Sequence, residues 1–366
     1  MTQISRARIS SLGAILLVGM VALSGCGTPA VSTGKDADAG TSASAAPAEY
    51  APAAEGKTTY PLTLESPWGS TELAERPVRI AAVTPSQDDA EILAALGVTP
   101  VIASEWTTDV WVEDALPKPI PARFTSGDTQ FPVEQIAKAD PDLIVVLGAD
   151  ASEAYEKLSS IAPVLSTAVT SGSEQTVAND WETNVLRVGE VLDRQDAAQK
   201  VLDDEDAFFE KFRADHAGIE GQTAAYLVYY GEEGGLQYHS SVDGPATTVL
   251  ENMGFTPNPG AADFTYRQEI SEELLSSIEA DVIVFSDNSD GDYATITEQP
   301  LFQKLPAVQN DKLILIDNRA TEGVFVIDGV ETAGNLPWAL ARSGPLSGTW
   351  AAEQLAPALS AILSQQ

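Results

Sequence analysis

DAAQKVLDDEDAFFEKFRADHAG, residues 196–218, is the stretch on which the fold turns. It gives about 21 helical residues before Gly218, roughly 30 Å at 1.5 Å per residue. Leu202, Phe208, Phe209 and Phe212 recur in it at three- and four-residue spacing, which predicts one buried face. WETNVLRVGEVLD (181–193), just before it, has helical spacing too, and nothing from 178 to 217 reads as a strand.

On either side of this interruption, strands and helices alternate. Upstream, YPLTLESPWGSTEL (60–73) reads as a hairpin around a Gly turn, and RIAAV (79–83), PVIAS (100–104), LIVVL (143–147) and VLST (164–167) read as strands. Between them, QDDAEILAALG (87–97), VEQIAKAD (133–140) and SEAYEKLSSIA (152–162) read as helices, the first ended by Gly97 and the second by Pro141. Downstream, AAYLVYY (224–230), DVIVFS (281–286) and KLILID (312–317) read as strands. ATTVLENMG (246–254), SEELLSSIE (271–279) and TWAAEQLAPALSAILS (349–364) read as helices. Alternation of this kind predicts an α/β fold of two lobes with mainly parallel sheets.

The N-terminus predicts the compartment. Arg6 and Arg8 precede an apolar run, Leu12 to Leu23, with no acidic residue before Cys26. The run is shorter than the about 20 residues a membrane-spanning helix needs, so 1–25 reads as a secretory signal peptide. It ends in Leu23-Ser24-Gly25-Cys26, which resembles a bacterial lipobox. Cys26 is the sole cysteine, so a disulfide framework is excluded and a lipid anchor on Cys26, at the outer face of the cell membrane, is the expectation. Residues 26–58, rich in Ala, Ser, Thr, Gly and Pro, read as a disordered tether.

The formal net charge is −34, from 54 acidic and 20 basic residues. Such a surface repels nucleic acid and anionic lipid, and an anionic ligand needs its own local arginines or lysines.

Six segments in order carry a family resemblance. They are RPVRIAAVTPSQDDAEILAALGVTPV (76–101), VEQIAKADPDLIVV (133–146), AYEKLSSIAPVL (154–165), ISEELLSSIEADVIVF (270–285), PLFQKLPAVQNDKLILID (300–317) and SGPLSGTWAAEQLAPAL (343–359). Together they resemble the substrate-binding lipoproteins of ABC importers for ferric siderophores, haem and cobalamin, most of all the ferric-siderophore branch. The resemblance implies two Rossmann-like lobes joined by a single long helix. The bounds expected are 59–194 for the first lobe, 195–217 for the helix and 218–366 for the second lobe. It implies a receptor that captures a ferric siderophore and delivers it to an ABC permease. It implies no resident cofactor, since the cargo brings the iron. It also implies a docking role for Glu134 and Glu273, one on each lobe, against permease arginines; Glu272 beside Glu273 leaves the second choice open. A glutamate in a helix's first turn also favours the helix dipole without any partner.

The ligand is expected between the lobes, at the C-terminal ends of the strands. The loops there hold Trp106, Trp111, Arg123, Tyr230, Tyr238, His239, Tyr266, Arg267 and Arg319. Aromatic faces give contact area and guanidinium groups bind the oxygens of carboxylate, catecholate or hydroxamate. Trp181 and Trp338 are expected to pack in the interior.

Only two histidines, His216 and His239, are present, too few for a zinc or manganese receptor. Tyr238 or His239 leaves haem open as an alternative, with cobalamin beside it. An extracellular enzyme is the rival of another class. No Gly-x-Ser-x-Gly elbow, Walker loop, His-Glu-x-x-His or cysteine nucleophile supports it.

Overall fold

The computed structural model describes residues 49–364 apart from 86–87, 127–130, 168–180, 243, 279 and 290. The leader, Cys26 and the tether up to residue 48 lie outside the described residues.

The first lobe opens with the hairpin β1 (Leu62–Ser66) and β2 (Gly69–Leu73). It continues through β3 (Ile80–Ala82), α1 (Asp88–Ala95), β4 (Ala103–Ser104), α2 (Val110–Ala115), β5 (Arg123–Phe124), α3 (Val133–Lys138), β6 (Leu143–Val146), α4 (Tyr155–Ser159) and β7 (Val164–Ser166). Strands β3, β6 and β7 form a parallel sheet in that order, with Ile80 opposite Leu143 and Ile144 opposite Val164. Every residue of the three is buried. Alternate side chains enter opposite layers: Ile80, Ala82, Leu143 and Val145 one, Ala81, Ile144 and Val146 the other. Gly97, at φ +73°, ends α1 in the left-handed conformation that a side chain resists. The strand expected over 100–104 is shorter: Ile102 bridges Ala81, and β4 pairs with β5 in parallel.

Helix α5 (Trp181–Val191) leads into α6 (Gln195–Asp215), 21 residues long. The N-terminal end of α6 buries Ala198 among Val185 and Val188 of the first lobe. Its C-terminal end buries Phe209 and Phe212 beside Ile219 and Met253 of the second.

The second lobe runs through β8 (Ala224–Tyr229), α7 (Gly231–Gly234), β9 (Leu236–Tyr238), α8 (Pro245–Asn252), β10 (Gln268–Glu269), β11 (Val282–Asp287), α9 (Ala294–Thr297), α10 (Pro306–Gln309), β12 (Leu313–Arg319), β13 (Val324–Ile327), β14 (Val330–Ala333), α11 (Leu336–Arg342) and α12 (Ser347–Leu363). Its sheet has the order β10-β9-β8-β11-β12-β13-β14. Only the centre, β8-β11-β12, is parallel; both flanks pair antiparallel. The parallel strands that the sequence predicts form the centre of this sheet, and antiparallel strands extend it on both sides. At one edge β13 and β14 are joined by Asp328-Gly329, both at positive φ, a turn that permits a hairpin but no crossover.

Two further expectations change. Within the helix expected over 271–279, residues 271–278 form a turn followed by a 3-10 segment, Leu275–Ser277, instead of an α-helix. Leu275 and Ile278 are both buried, and three-residue spacing is the one that a 3-10 turn stacks on one side. The tether is ordered before residue 58. Ala51 is buried, Gly56, Lys57 and Thr58 donate their N–H groups to the Asp193 carboxylate, and Glu55 accepts from Asp196 N and Ala197 N at the start of α6. A carboxylate there satisfies otherwise open amides and faces the positive end of the helix dipole.

The lobes touch directly. Trp111 and Val112 of α2 lie in the second lobe's core, with the Trp111 and Trp350 rings 5.0 Å apart.

Candidate binding cleft

A cavity of about 520 Å³ opens between Pro85, Trp106 and Asp109 of the first lobe and Ala320, Asn335 and Trp338 of the second. Trp106 follows the C-terminal end of the parallel strand β4 and is 64% exposed, the natural place for a ligand-facing side chain on an α/β sheet. Trp338 sits in the first turn of α11, where the Asn335 side chain accepts its N–H. Arg342, one helical turn on, lays its guanidinium 3.9 Å from the centre of the Trp338 ring and bonds Asp88 of α1 at 3.3 Å.

Beyond Arg342 stands a second group. His239 is edge-on to Tyr266 at 5.3 Å and to Tyr226 at 5.7 Å, and lies 6.0 Å from Tyr230. Arg267 covers the Tyr230 ring at 5.5 Å. Its backbone is left-handed, φ +61°, and its N–H bonds Tyr238 O at 2.8 Å. A bulky residue persists in that conformation only where its surroundings hold it. Burial pushes the His239 imidazole down to about 4, with the Arg267 charge adding to it, so the ring is neutral at physiological pH. Burial raises the Tyr266 hydroxyl, and the charges of Arg267 and Arg342 pull it partly back.

The sequence-predicted residues divide. Tyr230, Tyr266 and Arg267 stand together with His239, although His239 itself is only 3% exposed, and Trp106 lines the cavity. Trp111 is core, 5% exposed, and does not face the cleft. Tyr238 is fully buried and stacks on Phe264 at 4.4 Å. Arg123 is engaged inside the first lobe, donating to Thr107 O and pairing with Glu113. It braces the loop that carries Trp106. Arg319 pairs with Asp317 at 2.9 Å and Glu331 at 3.6 Å. Glu134 and Glu273 are exposed, Glu134 at the start of α3 and Glu273 in the turn before the 3-10 segment.

Trp338, expected in the interior, lines the cleft instead, and Arg342 and Asp109 join the site unforeseen. The signal for the pair was present: in NLPWALAR (335–342) an Asn cap and a Pro open a helix whose Trp and Arg stand four apart, on one face. Among the described residues, no group of three or more His, Cys, Asp or Glu side chains is placed to hold a metal ion, and no helix is long and apolar enough to cross a membrane.

A family model described as periplasmic binding protein matches residues 80–320. A Bacillus subtilis protein named a probable siderophore-binding lipoprotein, YfiY, is 22% identical over 286 residues, covering 72% of this chain and 84% of its own. The Fe(3+)-citrate-binding protein YfmC of the same organism is 24% identical over 67% of this chain and 75% of its own. Among solved structures, a periplasmic solute binding protein from Mycobacterium smegmatis superposes with a TM-score of 0.65 at 24% identity, over 83% of this chain and 99% of that one.

Proposed function

The chain belongs to the periplasmic binding protein family, and from that premise we propose that it captures a ferric siderophore in the interlobe cleft and delivers it to an ABC permease. The observation that carries the reading is the interlobe cavity lined by Trp106 and Trp338, with the Arg342 guanidinium stacked on the Trp338 ring. Aromatic faces supply large contact area at small entropy loss, and guanidinium groups suit the oxygen-rich shell of a chelated ferric ion. The iron is cargo, and the protein needs no resident cofactor and performs no reaction. Named relatives that bind siderophore or ferric citrate support the same ligand class.

Haem fits less well. His239 lies beneath Tyr226, Tyr230 and Tyr266, and Tyr238 is fully buried, so neither offers an axial ligand without repacking.

The lipid on Cys26 holds the receptor at the membrane, with Glu134 and Glu273 presented to the permease. Six tryptophans make the test direct. Ferric siderophores should quench tryptophan fluorescence at micromolar concentration or below, with haem and a hydrolase screen run beside them. Binding of haem but of no ferric siderophore would reject the reading. Cys26→Ser should release the protein or leave an uncleaved precursor, with ligand binding intact.

A further inference from the structure

Arg342 is not on the lining of the cavity, yet it ties a cavity wall to the contact between the lobes. It follows Trp338 by four positions on α11, a spacing that puts both side chains on one face of the helix. The guanidinium centre lies 3.9 Å from the centre of the Trp338 ring, a cation–π stack. Its Nη1 donates to Asp88 Oδ1, on α1 of the first lobe, at 3.3 Å. Asp88 is buried, and Gly148, left-handed at φ +69°, leaves room for the other carboxylate oxygen, which a Cβ there would meet at 3.3 Å. One guanidinium is therefore held in its plane by a carboxylate of one lobe and on its face by an indole of the other.

Trp338 gains from such a support. The ring is half-buried and lines the cavity, so packing leaves one side of it open. A side chain free to move there loses rotamer entropy when a ligand fixes it, and a ring already fixed loses less. The Asn335 side chain accepts the backbone N–H of Trp338, which sets the main chain and not the ring. The face of the ring is set by Arg342, and the place of Arg342 by Asp88. Arginine suits this task better than lysine, because a planar guanidinium can stack and donate at once.

We infer that Arg342 is a positioning residue for ligand binding: bridged to Asp88 of the opposite lobe, it holds the Trp338 ring as a rigid wall of the cavity. This step rests on the reading of the cavity as the siderophore site. By linkage, whatever the ligand gains from a fixed ring it returns to the Arg342–Asp88 contact, so occupancy strengthens the tie between the lobes.

The test uses the full chain in detergent and whichever ferric complex, out of a trihydroxamate, a tricatecholate and citrate, quenches its tryptophan fluorescence most strongly. Asp88→Asn and Arg342→Met should each weaken that complex about five- to twentyfold, a coupling of ordinary size, and Arg342→Lys should recover only part of the loss. In a Trp338→Ala background neither Asp88→Asn nor Arg342→Met should cost more than about a further twofold, because the ring through which they act is gone. Glu91→Ala is the control. Its carboxylate accepts the amides of Leu346 and Ser347 across the same interlobe edge, so its loss should lower the denaturation midpoint and leave affinity within about twofold.

An undiminished loss from Arg342→Met in the Trp338→Ala background would make Arg342 a direct ligand contact and overturn the positioning role. Equal losses from Glu91→Ala and Asp88→Asn would assign the effect to the lobe edge as a whole and overturn it too. A measurement without ligand separates this inference from the siderophore reading. The fast component of the Trp338 anisotropy decay, taken as the difference between each protein and its Trp338→Phe form, should grow in Asp88→Asn and Arg342→Met and match wild type in Glu91→Ala. No change in any of them would mean that Arg342 does not hold the ring, whatever ligand binds. Binding of none of the three ferric complexes, beside the expected anisotropy result, would overturn the siderophore reading and leave the support of Trp338 by Arg342 standing.

Discussion

Glu91 and Ser347 stand 256 positions apart, and the Ser347 N–H donates to Glu91 Oε1 at 2.7 Å. The Leu346 N–H reaches the same oxygen at 2.9 Å. Glu91 belongs to α1 in the first lobe, and the two amides open α12 in the second. A side chain at Gly344 would meet this carboxylate at 2.5 Å, so the glycine permits the approach. With Asp88–Arg342 beside it and Trp111 packed on Trp350, the lobes are bolted along one edge. Glu91→Ala would leave the buried Ser347 amide and the part-buried Leu346 amide without this acceptor, at about 1–3 kcal/mol for the buried one. Chemical denaturation should show that loss, with the transition midpoint lowered.

The same edge limits motion. A single helix, α6, with one end in each core bends less than extended crossover strands, and the shared packing at Trp111 adds to its stiffness. Solution scattering with and without ferric ligand should therefore show little change in radius of gyration. A large contraction on binding would contradict both the latch and the helical joint.

Asp89 gives stability an unusual pH dependence. Full burial pushes its carboxyl up to about 7, although it accepts the Thr84 N–H at 2.8 Å. In the unfolded chain it titrates at its ordinary value near 4. Between about pH 4 and 7 the folded state therefore binds the extra proton, and stability is lost as pH rises through that window. His239 acts oppositely: its folded value near 4 lies below its unfolded one, so stability is lost as pH falls from about 6.5 to 4. Asp89→Asn isolates the first effect. Relative to wild type, its unfolding free energy should improve from about pH 4 to pH 7 and level off above that. A constant offset would mean that Asp89 stays ionised throughout.

How much of this was readable beforehand depends on the distance over which each cause acts. The strands at 80–82 and 143–146 announce themselves because residues buried on both faces form short apolar runs, and Gly97 marks a helix end by its own backbone. The interlobe helix follows from the spacing of Phe208, Phe209 and Phe212. The cleft was half legible. Of the aromatic and arginine residues singled out in loops after strands, Trp106 lines the cavity, and Tyr230, Tyr266 and Arg267 gather around His239. Which arginine is matched was not legible, because Asp88 lies 254 positions from Arg342 and only the fold brings them together. Trp111 and Trp338 exchanged places for the same reason: each lies on a short helix whose buried side is chosen by the opposite lobe.

That exchange can be tested by paired substitution. Trp338→Ala should weaken ferric-siderophore binding about tenfold or more, because a ring that lines the cavity and holds Arg342 over its face is lost. Trp111→Ala should leave affinity nearly unchanged and instead reduce stability by about 3–5 kcal/mol, the usual loss when a large core aromatic is truncated. Titration and denaturation of both variants separate the two roles, and the reverse pattern would return Trp111 to the binding surface.

The last prediction concerns transport instead of binding. Glu134 stands in the first turn of α3 and Glu273 in an exposed turn of the other lobe. Neither lines the cleft cavity. Ligand affinity in Glu134→Ala and Glu273→Ala should therefore stay within about threefold of wild type, since a distant surface charge is largely screened. Import by cells should fall sharply, because a carboxylate–arginine contact desolvated on docking can be worth about 2–5 kcal/mol when one partner is removed. The structural correction bears on Glu273 in particular: held in a turn, it is less rigidly aimed than Glu134 on its helix, and Glu272 beside it is equally exposed. Glu272→Ala alone should be mild if Glu273 is the contact, and the double substitution of 272 and 273 should match Glu273→Ala. Normal import in a Glu134→Ala, Glu273→Ala double variant would place the permease contact on another surface.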